Sequence, residues 1–215
     1  YYDSTNGDLK FARFNGSIWA VSTVTSIGNI GWYCSLAFSP DGMPTIAYHD
    51  STNGDLKFAT HNGVGWIVYT VDSAGIVGTH CSLAYGADGQ PAISYHDSTN
   101  ADLKIARFNG NAWTATTVDS TGTTGTASSL AFGPDGMPAI AYRDSTNEDL
   151  RLARHDGTTW TLTTIESSGK AGYYPSLSFG PDGQPAIASI HYGTSPILAN
   201  GNLKIARQGI FKSTP

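Results

Sequence analysis

Asp3-Ser4-Thr5-Asn6 returns as Asp50-Ser51-Thr52-Asn53, as Asp97-Ser98-Thr99-Asn100 and as Asp144-Ser145-Thr146-Asn147, always after 47 residues. A fixed period of this size means one supersecondary unit copied several times. Each copy is too small to bury its apolar face alone, so the copies must stack on one another.

The composition fits a particular kind of unit. Hydrophobic residues make up 40% of the chain and charged residues only 13%, with 25 glycines and 10 prolines. Low charge with high turn content suits an all-β chain of many short strands and excludes a disordered one. A net charge of −5 argues against a nucleic-acid partner, which would require a basic stripe. No apolar run approaches the roughly 18 residues of a membrane span. The sequence begins at Tyr1 partway through a repeat, which reads as a product trimmed from a longer, exported precursor. The sequon Asn15-Gly16-Ser17 is compatible with that reading. A secreted or cell-surface location is therefore expected.

Each copy reads as four strands, A to D. In the second copy, Ser35-Leu36-Ala37-Phe38 is followed by Pro40-Asp41-Gly42 and then by Pro44-Thr45-Ile46-Ala47-Tyr48. Proline presets φ at the first turn position, and glycine takes the left-handed conformation that closes the turn. Leu56-Lys57-Phe58-Ala59 is the third strand; Asn62-Gly63 turns into a fourth that opens with Trp66. Trp19, Trp113 and Trp160 open the equivalent strands.

Four antiparallel strands per unit of this length predict a β-propeller with one blade per copy. Strand A is expected innermost, on the reading that the longest connection joins D to the next A. The inner strands at Ser35, Ser82, Ser129 and Ser176 give blades over 34–72, 81–119, 128–166 and 175–215, with a half blade at 1–24. The last blade would close on a degraded strand around Ile210-Phe211. Five blades with one incomplete is the first expectation, and a closed four-bladed ring with a spare hairpin the second. An incomplete blade exposes strand edges that invite self-association.

The run from Tyr48 to Ala59, Tyr-His-Asp-Ser-Thr-Asn-Gly-Asp-Leu-Lys-Phe-Ala, resembles the repeats of bacterial secreted β-propeller proteins. That resemblance covers nearly the whole chain and implies a fold rather than an activity. In repeat length and blade number the chain is also similar to tachylectin-type lectins, in architecture alone.

The Asp-Ser-Thr-Asn motif has two readings. Asp50, Asn53 and Asp55 could serve as a calcium loop. Alternatively, Asp50 bonds its own backbone in a tight turn with Asn53 in the left-handed position. Gly54 becomes Ala101 and Glu148 in other copies, which favours the turn. The repeated tryptophans read as packing between blades. Cys34 and Cys81 are too few for a disulfide framework; they read as buried thiols in preference to zinc ligands. No metal or cofactor is expected.

Positions that vary between copies carry more functional information than those that repeat. Before each A strand stand Trp32-Tyr33, Thr79-His80, Thr126-Ala127 and Tyr173-Tyr174. His49, His96, Arg143 and Ile190 stand at the B-strand ends, each followed by Asp50, Asp97, Asp144 or His191. If Leu36 pairs with Ile46, Tyr33 falls opposite His49 and His80 opposite His96. Trp32, Tyr33, His49, Asp50, His80, His96, Asp97, Arg143, Asp144, Tyr173 and Tyr174 are therefore the candidate contacts, lining the face of the D–A and B–C loops. Aromatic faces suit sugar C–H groups, and Asp and His suit hydroxyls.

Catalysis finds little support. The chain has only two glutamates, Glu148 and Glu166, and one arginine on the loop face, Arg143. The expectation is an extracellular, non-catalytic, carbohydrate-binding module with a glycan or surface protein as partner. A structural or protein-interaction scaffold is the alternative, and a sialidase-type glycosidase a remote third.

Overall fold

The computed structural model describes residues 1–192 and 202–207, and all of its regular elements are β-strands. The first sheet holds β1 (Tyr2–Asp3), β2 (Asp8–Phe14) and β3 (Trp19–Thr25). The second holds β4 (Ile30–Phe38), β5 (Pro44–Asp50), β6 (Asp55–His61) and β7 (Trp66–Asp72). The third holds β8 (Val77–Tyr85), β9 (Pro91–Asp97), β10 (Asp102–Phe108) and β11 (Trp113–Asp119). The fourth holds β12 (Thr124–Phe132), β13 (Pro138–Asp144), β14 (Asp149–His155) and β15 (Trp160–Glu166). The fifth holds β16 (Lys170–Phe179), β17 (Pro185–Tyr192) and β18 (Asn202–Arg207).

Each sheet is an antiparallel meander and forms one blade. Among the described residues the first blade lacks an A strand, although β1 supplies the end of a B strand that the sequence did not suggest. The strand expected around Ile210-Phe211 lies outside the described residues.

The turns form as their residues dictate. Gly42, at φ 79, donates to the Ser39 carbonyl at 2.8 Å and closes the A–B hairpin. In the C–D turn the Asn62 side-chain oxygen accepts from Val64 and Gly65 N–H. In the B–C turn Asp50 Oδ1 accepts from Thr52 and Asn53 N–H at 3.0 and 3.2 Å, and Asn53 Nδ2 donates to Asp50 Oδ2 at 2.9 Å. Asp97 and Asp144 repeat this arrangement. The aspartate is thus engaged within its own turn. The left-handed residue is the one after the asparagine: Gly54 at φ 79, Ala101 at φ 64 and Glu148 at φ 60. Asn53 does not occupy it.

Strand A is innermost, but not because of a long connection. The D–A links are as short as the B–C and C–D turns: 73–76 against 51–54 and 62–65. Strand A itself crosses from the rim to the axis, which is why it starts at Ile30 and Val77, several residues before Ser35 and Ser82. The crossing runs over the preceding blade, with Val77 N–H donating to the Gly54 carbonyl at 2.8 Å. Glycine is required there. Gly78 has φ +88, and a Cβ on it would lie 2.8 Å from the Leu56 Cα. Nearer the axis, adjacent inner strands are tied by serines. Leu83 N–H donates to Ser35 Oγ, Leu130 N–H to Ser82 Oγ and Leu177 N–H to Ser129 Oγ, all at 2.9–3.0 Å.

The core is therefore interfacial, and each apolar cluster joins two blades. One joins Leu56 and Phe58 to Leu83, Ile93 and Tyr95; the next joins Leu103 and Ile105 to Leu130, Ile140 and Tyr142. The tryptophans pack across these joints: Trp66 meets Phe11 at 5.4 Å and Trp113 meets Phe58 at 5.2 Å, both edge-on. Trp19, which meets no other blade among the described residues, is 68% exposed.

Candidate functional site

On the loop face the expected contacts divide into two groups. His49, His96, Arg143, Asp50, Asp97 and Asp144 are all buried. His49 Nδ1 meets the Val77 carbonyl at 2.8 Å and His96 Nδ1 the Thr124 carbonyl at 2.7 Å, while Arg143 donates to the Ala171 carbonyl. Those three carbonyls are themselves 47 residues apart. Histidine and arginine thus do one job at this position, tying each blade to the next, so variation there signals a shared donor role rather than a ligand. This corrects the expectation that these side chains line an open mouth.

The register needs a second correction. Leu36 does pair with Ile46 as expected, but Trp32, not Tyr33, lies opposite His49, and Thr79, not His80, opposite His96. The pairing shifts between Trp32 and Ser35 because Tyr33 and His80 adopt φ 52 and 54, a bulge that turns their side chains toward the axis. Tyr174, at φ 48, does the same in the fifth blade.

The consequence is a small axial mouth of about 250 Å³, lined by Tyr33, Cys34, His80, Cys81, Tyr174 and their neighbours. Tyr33 and His80 stack at 4.3 Å. Burial, with His96 nearby, pulls the His80 pKa down to about 4, so this imidazole is neutral at physiological pH. Cys81 is buried as expected and its thiol meets the Tyr33 carbonyl, but Cys34 is exposed. Trp32 lies outside the mouth, stacked on Tyr2 at 4.7 Å, with Asn29 Oδ1 accepting from both. Tyr173 is held under Arg143, whose guanidinium sits 3.8 Å from the ring centre. Of the expected residues, only Tyr33, His80 and Tyr174 converge. Among the described residues no group of three or more His, Cys, Asp or Glu side chains is placed to hold a metal ion.

The larger cavity is on the opposite face. A groove of about 730 Å³ runs between the second and third blades, bounded by their A–B and C–D turns. Phe58, Tyr69, Tyr85, Phe108 and Trp113 supply its aromatic surface, while Asp41, Asn62, Gln90 and Asn111 supply polar groups. Its volume lies in the range typical of small-molecule sites. The floor is rigid, because Phe58 and Phe108 pack on Trp113 at 5.2 and 5.4 Å. Tyr69 is 47% exposed and presents its ring to solvent. Ser39 donates to the Asp41 carboxylate, and that bond holds its pKa below the usual carboxylate value.

Sequence reasoning missed this groove because it favoured the loop face. One signal was available: Tyr69 stands where the other copies carry Ser22, Thr116 and Thr163, each opposite the central C-strand residue.

No known family profile matches the chain, and no curated protein matches it. Solved structures do. A protein of unknown function from Dyadobacter fermentans superposes with a TM-score of 0.60 at 14% identity, over 80% of this chain and 51% of the other. This chain thus spans about half of that relative. The Aleuria aurantia lectin bound to Fucα1-6GlcNAc gives 0.58 at 17% identity, over 98% and 74%. The Penicillium chrysogenum α-L-arabinanase bound to arabinobiose gives 0.63 at 11% identity, over 82% and 62%. The fold is a β-propeller. At such identities the likeness extends to the fold and no further.

Proposed function

We propose that this propeller is an extracellular, non-catalytic carbohydrate-binding module whose principal site is the groove between the second and third blades. The observation that carries the reading is the combination found there: the exposed Tyr69 ring beside buried and partly buried aromatics packed on one another, with amide and carboxylate groups at the rim. Flat apolar rings accept the C–H faces of a pyranose, and Asn62, Asn111, Gln90 and Asp41 offer donors and acceptors for hydroxyls. The Aleuria lectin and the arabinanase, both solved with saccharides, are consistent with this use of the fold.

The non-catalytic part rests on the carboxylates. Glycoside hydrolysis uses two, one of them protonated in the resting enzyme. The groove is lined by one, Asp41, and its hydrogen bond from Ser39 favours the ionised form.

A glycan array followed by calorimetry on the best ligand tests the reading. Tyr69→Ala is expected to weaken binding at least tenfold without moving the unfolding midpoint, because the ring is half exposed. Tyr33→Ala, on the other face, is expected to leave affinity unchanged. No binding to any glycan would favour the scaffold reading, and turnover of a fluorogenic glycoside would overturn the non-catalytic one.

A further inference from the structure

One difference between the copies explains why the groove opens between the second and third blades. In the third blade Arg107, near the end of β10, reaches the A–B turn, where it donates to Asp88 Oδ2 at 2.8 Å. Its guanidinium also lies 5.3 Å from the centre of the Phe132 ring on the next blade. Arg154 repeats both contacts in the fourth blade, with Asp135 at 2.6 Å and the Phe179 ring at 4.8 Å. Each arginine thus fills the space between a turn carboxylate and an aromatic ring of the following blade. In the second blade the corresponding residues are Thr60, Asp41 and Tyr85, and all three line the groove.

The neighbouring positions differ in step. Gly86 and Gly133 stand beside the arginine pairs, and a Cβ on them would lie 2.5 Å from Asp88 Oδ1 or from an Arg154 guanidinium nitrogen. Their counterpart in the second blade is Ser39, which donates to the Asp41 carboxylate. Ala92 and Ala139 are answered by Thr45, whose hydroxyl accepts from Tyr85 Oη at 3.2 Å and donates to the Ala37 carbonyl at 3.0 Å. The ring beside the arginine's place is therefore anchored by its own hydroxyl. Ser39 gives Asp41 one hydrogen bond but no opposite charge. Among the described residues no lysine or arginine lines the groove. A carboxylate and an aromatic ring that hold a cation in the next two blades thus face the groove without one.

We propose that the groove, on its reading above as a saccharide site, selects sugars that carry a free amino group. The ammonium takes the place between Asp41 and Tyr85 that the Arg107 and Arg154 guanidinium groups take in the third and fourth blades. It donates to the Asp41 carboxylate and lies against the Tyr85 ring, which leaves Tyr69 for a C–H face of the sugar. Sugars bearing a carboxylate are disfavoured by the same aspartate, since like charges would be brought together. An N-acetylated sugar is neutral and gains nothing from the pair. The chain itself defines the geometry of recognition, because two of its own blades display the occupied form.

The probe is the β1,4-linked dimer of glucosamine, titrated calorimetrically into the full chain beside its N,N′-diacetyl form, which has the same rings without the charges. The amine form is expected to bind about tenfold more tightly or better, and added salt should weaken that form alone. Asp41→Asn is expected to remove the preference. A second variant fills the place from within: Ser39→Gly with Thr60→Arg rebuilds the arrangement of the third blade. It should abolish the preference without lowering the unfolding midpoint. Equal affinity for the two dimers, or a preference that survives both variants, overturns the proposal and leaves the groove as a site for neutral sugars. Binding of neither dimer overturns it too, whereas the saccharide reading falls only if the whole glycan array is also blank.

Discussion

The joint between the third and fourth blades and the joint between the first and second share the same apolar cluster, Leu103, Val118, Ile140 and Tyr142 against Leu9, Val24, Ile46 and Tyr48, and differ in their polar ties and at the axis. At the former, Asp119 is buried and accepts from Tyr142 at 2.6 Å and Arg151 at 2.8 Å. His96 ties to the Thr124 carbonyl, and Leu130 is 6% exposed. At the latter, Thr25 replaces the aspartate and Tyr2 the histidine, and Leu36 faces solvent. The joint between the second and third blades follows the complete pattern, with Tyr95 and Lys104 on Asp72. The contacts between blades therefore form only where the neighbouring copy supplies the other half of each one.

The largest effect expected is at the complete joint. Asp119→Ala leaves a buried tyrosine hydroxyl and a guanidinium without their acceptor, and breaking such a pair costs about 3–5 kcal/mol. Urea unfolding measures it, and a loss below about 1 kcal/mol would mean that the polar tie contributes little. Burial raises the Asp119 pKa, but hydrogen bonds from Thr121 and Tyr142 and the Arg151 charge more than offset it, so the net shift is downward. The stabilisation from Asp119 is then complete above its unfolded value of 3.8 and is lost as the pH falls below it.

Next comes a matched pair. Leu130→Ala should destabilise by about 2–5 kcal/mol, as for a packed core leucine. Leu36→Ala, the same change at the same register, should cost less than about 1 kcal/mol. Equal losses would show that Leu36 is covered in solution.

Gly78→Ala forces a Cβ against Leu56 in the left-handed region and should cost about 1–3 kcal/mol. Gly16→Ala, also left-handed at φ +98 but with nothing within 4 Å of the new methyl, should cost less. The difference between the two unfolding midpoints isolates the packing contribution of the crossing strand.

The last effect appears only in acid and is that of His80. Its folded pKa of about 4 lies below the ordinary histidine value of 6.5, so the unfolded chain binds the extra proton between these limits. Stability contributed by neutral His80 is full above pH 6.5 and declines as the pH falls toward 4. His80→Asn, which tolerates φ > 0, should flatten that part of the Tm profile. Parallel profiles for parent and variant would count against the burial argument.

Much of this architecture was legible because it is local chemistry repeated. The Pro-Asp-Gly hairpins, the Asp50 turn and the Leu36–Ile46 pairing depend on residues within a few positions of each other. The tryptophans' interblade role followed from their constant place in every copy. The site was less legible. The bulge at Tyr33 and His80 arises where strand A crosses over the preceding blade, and no property of those two residues announces it. Reading His49, His96 and Arg143 as ligand contacts failed because three different side chains reach equivalent carbonyls in the next blade. The groove beside Tyr69 needed two blades side by side before it existed.

The sequence by itself determined the unit, its strand order and its turns, since φ preferences and alternating polarity act over short stretches of chain. Tertiary structure decided which identical residues are buried, which way the bulged side chains point and where a cavity opens. Those outcomes depend on what the adjacent copy places against each surface, and a single repeat carries only one side of that contact.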